Sequence, residues 1–349
     1  MIKAKTPKIL RHRYKPILVL LGVFALLLFI ALLAFRLSPW PGALIIRAVF
    51  NNGGHKTLEA MEKQVPPLPI EVLSDQQYTK TSKDALLDVY IPKSATRVNQ
   101  KLPVVVWTHG GAWLSGNKKD AAPYFKFISS QGFVVVVPNY SLAPGKTYPT
   151  QIHQLNDAHK YMQANAGRFH IDTGKVILAG DSAGSQLSSQ MAVLITNPEY
   201  AKALKIKPSL SSSQLAGVVL FCGIYKMEGL TTPDPALPKI VSWGDDVAVW
   251  AYTGSRDKSD PVIREMSAYY HADKNFPSTF ISGGNADPLT VAQSIPFAAR
   301  LQSMGVDVTT LFYPANHRPA LPHEYQFTLD ADGRQAFAQM IRFLSEKTR

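Results

Sequence analysis

The sequence predicts an α/β fold in which helices flank a mostly parallel central sheet. Short apolar runs rich in Val and Ile, bounded by Gly or Pro, are typical of strands that are buried on both faces. Helical patterns separate these runs, and such alternation favours parallel strand pairing. The strand-like runs cover residues 85–91, 103–108, 133–137, 175–179, 216–221, 278–282 and 307–313, and helical patterns lie around 150–166, 183–196, 290–304 and 334–346.

Two stretches interrupt this alternation, 197–214 and 223–276. The first contains a serine-rich run and has the composition of a loop. The second is too long for a plain connection between a strand and a helix. We interpret both as insertions above the sheet that could form a small cap.

The N-terminal region predicts one transmembrane helix. Residues 17–35 are 19 consecutive uncharged, apolar residues, and a helix of that length covers most of a hydrocarbon core about 30 Å thick. The run exceeds the apolar region of a cleaved signal peptide, and Leu33-Ala34-Phe35-Arg36 is a poor cleavage site. We therefore favour an uncleaved anchor at 17–36 over a signal peptide, the alternative interpretation.

Charge is distributed unevenly along the chain. The net charge is +12, from 37 basic and 25 acidic residues. Seven of the basic residues and no acidic residue lie in the first 36 positions, which leaves 30 basic against 25 acidic residues beyond them. By the positive-inside rule, residues 1–16 form a cytoplasmic tail and the globular part lies across the membrane. The nearly balanced remainder predicts no nucleic-acid partner.

Residues 37–69 connect the anchor to the globular part, which we place at 70–349. Pro39 and Pro41 end the first helix. Residues 42–64 then have an amphipathic helical pattern, interrupted at 51–54, that could lie on the membrane or cover the mouth of a site. The proline-rich residues 65–69 are typical of a linker.

One motif predicts a nucleophilic serine. Gly180-Asp181-Ser182-Ala183-Gly184 follows the strand-like run 175–179 and opens a helical pattern, the strand–turn–helix context that a G-x-S-x-G motif requires. The glycines let strand and helix approach closely, which holds the serine oxygen above the sheet. The alternative is a turn in which Ser182 only caps the helix.

A second motif predicts amide groups for an oxyanion. His109-Gly110-Gly111-Ala112-Trp113 follows the strand-like run 103–108. Glycines here allow backbone N–H groups to face a site that side chains would obstruct. We predict the N–H groups of Gly110, Gly111 and Ala183 as the oxyanion donors.

Together these motifs resemble the hormone-sensitive-lipase-like esterases of the α/β-hydrolase superfamily, which are related to bacterial acetyl esterases. The resemblance covers roughly residues 70–347, and Ala112 stands where the family has a fourth Gly. Residues 138–144 are similar to the family's D-Y-R-L-A-P, and Asp287-Pro288-Leu289 is similar to its D-P-L. The resemblance implies an α/β-hydrolase fold, a serine–acid–histidine order along the chain and no cofactor.

The resemblance also implies the remaining catalytic residues. Asp287, after the strand-like run 278–282, would be the acid, although a helix-capping role is the alternative. His323 begins a segment that resembles the family's H-G-F element, and we favour it as the base, with His317 left open. The spacing of these histidines matches no standard zinc motif, and the single cysteine, Cys222, allows no disulfide within the chain. We predict no metal site.

The sequence thus predicts a membrane-anchored serine carboxylic ester hydrolase that forms an acyl-enzyme on Ser182. Its partners would be a small-molecule ester and, through the N-terminal helix, a membrane. A ligand-binding protein on the same fold, or a peptidase or acyltransferase, are the alternatives.

Overall fold

A computed structural model of the chain describes residues 8–231 and 238–349, with side chains from residue 16 onward. Its sheet has the order β1-β2-β4-β3-β5-β6-β7-β8, in which β1 and β2 pair antiparallel and β3 to β8 run parallel. This confirms the predicted α/β architecture. The strands are β1 Ile70–Gln77, β2 Leu86–Pro92, β3 Leu102–Thr108, β4 Val134–Pro138, β5 Ile171–Asp181, β6 Leu215–Phe221, β7 Thr279–Gly283 and β8 Val308–Phe312.

Alternation along the strands builds a core on each face of the sheet. In β3, Val104 and Val106 belong to the apolar cluster on one face, whereas Val105 and Trp107 belong to that on the other. The helices are α1 Lys8–Leu37, α2 Trp40–Glu62, α3 Lys93–Val98, α4 Ala122–Ser130, α5 Thr150–Ala164, α6 Ala183–Thr196, α7 Pro198–Leu204, α8 Glu228–Thr231, α9 Lys239–Thr253, α10 Pro261–Glu265, α11 Ala268–His271, α12 Ile295–Ser303 and α13 Ala331–Lys347. Helices α1 and α2 precede the sheet, and the other helices lie in the connections between strands or after β8.

The two predicted insertions differ in position. In the described part of 223–276, α8 and α9 contribute residues to the walls of the cavity above Ser182, as expected of a cap. Residues 232–237 of that stretch lie outside the described residues.

The prediction that 197–214 also lies above the sheet is wrong. This stretch follows the end of α6, which begins beside Ser182 and extends about 20 Å away from it. The side chain of Gln214 donates to the carbonyl oxygen of Thr173, near the beginning of β5 and far from Asp181 at its end. The chain therefore returns to the end of the sheet where the parallel strands begin, opposite the end that carries Ser182.

Within α1, residues Pro16–Leu37 form a helix that is long and apolar enough to cross a membrane. None of this segment is buried in the protein. Length and composition alone are compatible with a membrane span or with a signal sequence. The first seven residues of the predicted basic tail lie outside the described residues.

Helix α2 begins only two residues after α1 and is continuous through residues 51–54, where the sequence predicts an interruption. Its buried residues include Gly42 and Ile46, and the backbone at Gly42 lies close to the side chain of Val247 in α9. The guanidinium of Arg47 donates to the carbonyl oxygens of Leu114 (2.6 Å) and Ala143 (2.9 Å). These contacts hold α2 on the globular part of the protein.

Candidate active site

Ser182 lies at the tight turn between β5 and α6. Its backbone has φ 51° and ψ −123°, a strained conformation that non-glycine residues rarely adopt. A Cβ on Gly184 would overlap the carbonyl oxygen of Thr108, so the close approach of α6 to β3 requires glycine there. The sequence motif thus corresponds to a sharp turn that presents the serine hydroxyl above the sheet.

His323 and Asp287 complete a chain of hydrogen bonds with this serine. The imidazole Nε2 of His323 is 2.9 Å from Ser182 Oγ, and its Nδ1 is 2.9 Å from Asp287 Oδ2. The other oxygen of Asp287 accepts from the backbone N–H of Leu289 at 3.0 Å, which fixes the orientation of the carboxylate. Asp287 follows the end of β7 and His323 lies in the loop after β8, so three strand ends bring these side chains together.

The second candidate histidine has a different environment. The Nε2 of His317 lies 3.1 Å from Asp332 Oδ2, and its ring packs against Tyr313 with centroids 4.6 Å apart. The structure therefore brings His323, and not His317, to Ser182 and Asp287.

The imidazole of His323 has a shifted protonation equilibrium. Burial acts to lower its pKa, but the hydrogen bond and the charge of Asp287 raise it, and the net pKa lies well above 6.5. Burial raises the pKa of the Cys222 thiol to about 11, which keeps it protonated near neutral pH. Asp287 Oδ2, 2.9 Å from Nδ1, is therefore the neighbour that is placed to stabilise an imidazolium at His323.

Cys222, Asp287 and His323 bring potential metal-ligating atoms within 4.8 Å of one another. Both imidazole nitrogens, however, already form hydrogen bonds with Asp287 and Ser182. A metal would need one of these nitrogens and an ionised thiol. The arrangement suits proton transfer between His323 and Ser182 better than metal binding.

The glycine-rich loop after β3 corrects one predicted oxyanion donor. The N–H of Gly110 donates to Asp181 Oδ2 at 2.8 Å and is not available to a ligand, so its assignment is wrong. Gly111 has φ 101° and Ala112 has φ 51°, and this left-handed turn changes the direction of the amides that follow Gly110. Among the described residues, the N–H groups of Gly111, Ala112 and Ala183 have no acceptor.

Asp181 supports this loop, a role that the sequence reasoning missed. Its buried carboxyl accepts from Trp107 Nε1 at 2.7 Å as well as from Gly110 N–H. The available signal was an acidic residue inside the motif itself, directly before the serine. Burial, followed by the negative charge of Glu324, raises the pKa of Asp181 well above 3.8.

A cavity of about 580 Å³ opens above Ser182. Its walls come from the loop after β3, from α8 and α9 of the cap, and from the N-terminal helix α2. The α2 residues that line it are Val49, Phe50, Gly53, Gly54 and Thr57. Residues 42–64, for which the sequence left two roles open, thus contribute to the wall of the site.

Comparison with known proteins agrees with this architecture. The BD-FAE family profile matches residues 87–301, more than half of the chain. An esterase of Gibberella moniliformis is 27% identical over 268 residues, which cover 74% of this chain and 80% of that protein. Esterase LipC of Mycobacterium tuberculosis is 28% identical over 221 residues, which cover 63% of this chain but only 52% of that protein.

Solved structures share the fold. Esterase B of Lactobacillus rhamnosis superposes with a TM-score of 0.75 at 19% identity, over 89% of this chain and 96% of that one. The predicted α/β-hydrolase fold and the resemblance to its esterase-type members are thus confirmed. The chain belongs to the BD-FAE family.

Proposed function

We propose that the protein is a serine carboxylic ester hydrolase. The observation that carries this proposal is the hydrogen-bonded series Ser182–His323–Asp287, which lies beside three amides without an acceptor at the base of a cavity. A nucleophile, a base and an orienting acid in this order are what acyl transfer through serine requires. Relatives that are named as esterases support ester hydrolysis as the reaction.

The proposed reaction has two halves. His323 Nε2 accepts the Ser182 proton while Oγ attacks the ester carbonyl carbon, and the imidazolium is stabilised by Asp287. The N–H groups of Gly111, Ala112 and Ala183 bind the tetrahedral oxyanion. His323 then protonates the departing alkoxide, and the alcohol leaves an acyl group on Ser182.

In the second half, water replaces the alcohol. His323 accepts a proton from water as the water oxygen attacks the acyl carbon, and it returns a proton to Ser182 Oγ when the acid leaves. Every proton in this cycle moves through His323, so the steps call for no cofactor.

We also propose that α1 anchors the enzyme in a membrane, with residues 1–16 in the cytoplasm and the catalytic domain on the other side. The span Pro16–Leu37 is longer than the apolar region of a signal peptide, and none of it is buried in the protein. Basic residues before the span, without acidic ones, support this orientation.

Hydrolysis of p-nitrophenyl esters of increasing acyl length tests the catalytic proposal. We expect Ser182→Ala and His323→Ala each to lower kcat by about 10⁴-fold or more, because either change removes the nucleophile–base pair. His317→Ala is the matched control and is expected to remain within a few-fold of the parent enzyme.

A fully active His323→Ala variant would contradict the assignment of the base. A correctly folded parent enzyme without activity on any of the esters would contradict ester hydrolysis itself.

A further inference from the structure

Exposed apolar side chains lie on the elements that form the wall of the cavity. They come from three separate elements: α2, α9 and the turn and helix that follow Asp287. Ile240 is 68% exposed and Val291 is 72% exposed, although soluble surfaces rarely cluster such residues. The set, here called the apolar rim, consists of Ile45, Val49, Phe50, Ile240, Val241, Val291 and Ile295.

The rim is continuous with the cavity behind it. Val49, Phe50 and Val241 are exposed to solvent and also line the cavity wall. An apolar path therefore leads from the outer surface toward Ser182. A site that takes its substrate from water has no need for such a border.

The rim also adjoins the apolar helix α1. Leu37, Trp40 and Leu44 are exposed and extend the apolar surface from the end of α1 along α2 to the rim. The guanidinium of Arg256 donates to the carbonyl oxygen of Arg36 at 2.6 Å and lies 4.5 Å from the ring centroid of Trp250. These contacts fix the end of α1 against the loop that follows α9.

We infer that the apolar rim docks on the bilayer that holds α1, and that the enzyme takes uncharged lipid esters directly from that bilayer. The inference rests on the proposed ester hydrolysis and anchoring. The partner surface follows from continuity: only Ser38 and Pro39 separate the membrane-compatible α1 from the helix that carries part of the rim. Insertion of apolar side chains at a membrane surface is driven by the apolar area that leaves water.

The charge of the cavity restricts the substrate class. Its described lining residues include Asp120, Asp245, Asp246 and Glu324 but no lysine or arginine. Asp246 is paired with Lys258 at 2.6 Å, and burial raises the pKa of Asp245 to about 6, so a negatively charged headgroup would meet acidic side chains and no cation among these lining residues. Neutral esters with long acyl chains therefore fit both the rim and the wall.

Depth of insertion can be measured without any catalytic readout. The full-length protein in phosphatidylcholine vesicles would carry a nitrobenzoxadiazole label on Ile240→Cys or Val291→Cys, since the native Cys222 is buried. Val98→Cys is the matched control. Val98 is exposed at the end of α3, which lies just before the beginning of β3, at the end of the sheet opposite Ser182.

We expect a lipid-borne doxyl quencher to reduce emission from labels at 240 and 291 by about twofold or more, and to leave the label at 98 unchanged. Equal, weak quenching at all three positions would overturn the docking of the rim.

Entry from the bilayer is tested with two esters and a rim variant. Ile45, Ile240 and Val291 lie outside the cavity lining, so replacing all three with Ser leaves the catalytic residues unaltered. We expect this variant to lose about tenfold or more of kcat/KM toward 4-methylumbelliferyl oleate in vesicles and to hydrolyse soluble p-nitrophenyl acetate at the parent rate. Val98→Ser should match the parent on both esters.

Parent-like rates of the rim variant on the vesicle ester would refute entry from the bilayer. A parent enzyme inactive on both esters would instead refute the proposed function, and the quenching measurement would still decide whether the rim docks.

Discussion

At the residue scale, two carboxyl groups meet beside the nucleophile. Glu324 follows His323 directly and has φ 59°, the left-handed region, at the position where the H-G-F element has glycine. Its negative charge, together with burial, raises the pKa of Asp181, the group that holds the N–H of Gly110. The carboxyl of Asp181 therefore favours its protonated form, and the loop after β3 depends on its charge state.

Replacement of Glu324 by Gln should change how stability depends on pH. The pKa of Asp181 in the folded protein lies above its value in the unfolded chain. Its contribution to folding stability is therefore complete at pH values below the unfolded pKa and is lost as pH rises through the folded pKa. Gln removes one negative charge and can donate to Asp181, which lowers that folded pKa. We expect the difference in Tm between Glu324→Gln and the parent, measured by thermal unfolding, to shift in favour of the variant as pH rises from about 5 to about 9.

Glu59→Gln, at an exposed position of α2, is the control and should show no such trend. A Tm difference that is constant with pH would contradict the coupling between Glu324 and Asp181.

The G-x-S-x-G motif predicted Ser182, and the family resemblance implied Asp287 and His323 as its partners, with His317 left open. The structure brings Ser182, Asp287 and His323 together because each follows the carboxyl end of a parallel strand. Residue identities and spacing were insufficient for the oxyanion donors. The direction of an amide depends on backbone angles, and the buried carboxyl of Asp181 takes the N–H of Gly110. Spacing in the sequence contains no information about that competition.

At the element scale, seven strands were predictable, among them the edge strand β8, whereas the other edge strand, β1, was not. The seven apolar runs correspond to β2 through β8. Strand β1 has the sequence IEVLSDQQ and is partly exposed along its length, since it pairs on one side only. A polar edge strand lacks the continuous apolar run that identifies its neighbours.

Tertiary contacts also override local pattern in α2. Asn51-Asn52-Gly53-Gly54 has low helix propensity, yet the helix continues through it. The helix packs on α9, and Arg47 joins it to the loops that contain Leu114 and Ala143. Pattern analysis of residues 42–64 alone has no access to these partners.

Arg47→Ala should loosen this attachment. The carbonyl oxygens of Leu114 and Ala143 would each lose a charged donor in a partly buried setting. We expect a loss of about 1–3 kcal/mol in the free energy of unfolding, measured by urea denaturation.

Lys56→Ala, at an exposed position of the same helix, is the control and should remain within about 0.5 kcal/mol of the parent. An equal effect of both changes would show that the Arg47 contacts contribute no specific stability.

At the scale of the whole molecule, the chain consists of an N-terminal apolar helix and a globular part, and all the catalytic residues lie in the globular part. Ser182, Asp287 and His323 belong to the sheet ends, whereas Pro16–Leu37 has no contact with the core. Hydropathy and charge predict a span and its direction, but not where a cavity mouth lies relative to it. That position depends on how α2 folds back onto the cap.

Removal of residues 1–36 should separate anchoring from catalysis. We expect the shortened protein to move from the membrane pellet to the soluble fraction and to hydrolyse p-nitrophenyl acetate at a rate within a few-fold of the full chain. Arg47 and the catalytic residues remain in it. Ultracentrifugation after alkaline washing, with full-length Ser182→Ala as the reference, provides the measurement.

A full-length protein that is already soluble, with a mature mass that lacks the apolar segment, would instead identify that segment as a signal peptide. Intact-mass measurement therefore distinguishes the two interpretations.

The two-residue joint between α1 and α2 has a kinetic consequence. With α1 in the bilayer, Ser38 and Pro39 leave the catalytic domain little freedom to move away from it. Enzyme and ester then meet by lateral diffusion in two dimensions. Their encounter rate follows the mole fraction of ester among the surrounding lipids, so added inert lipid slows turnover even when the amount of ester per volume of solution is constant.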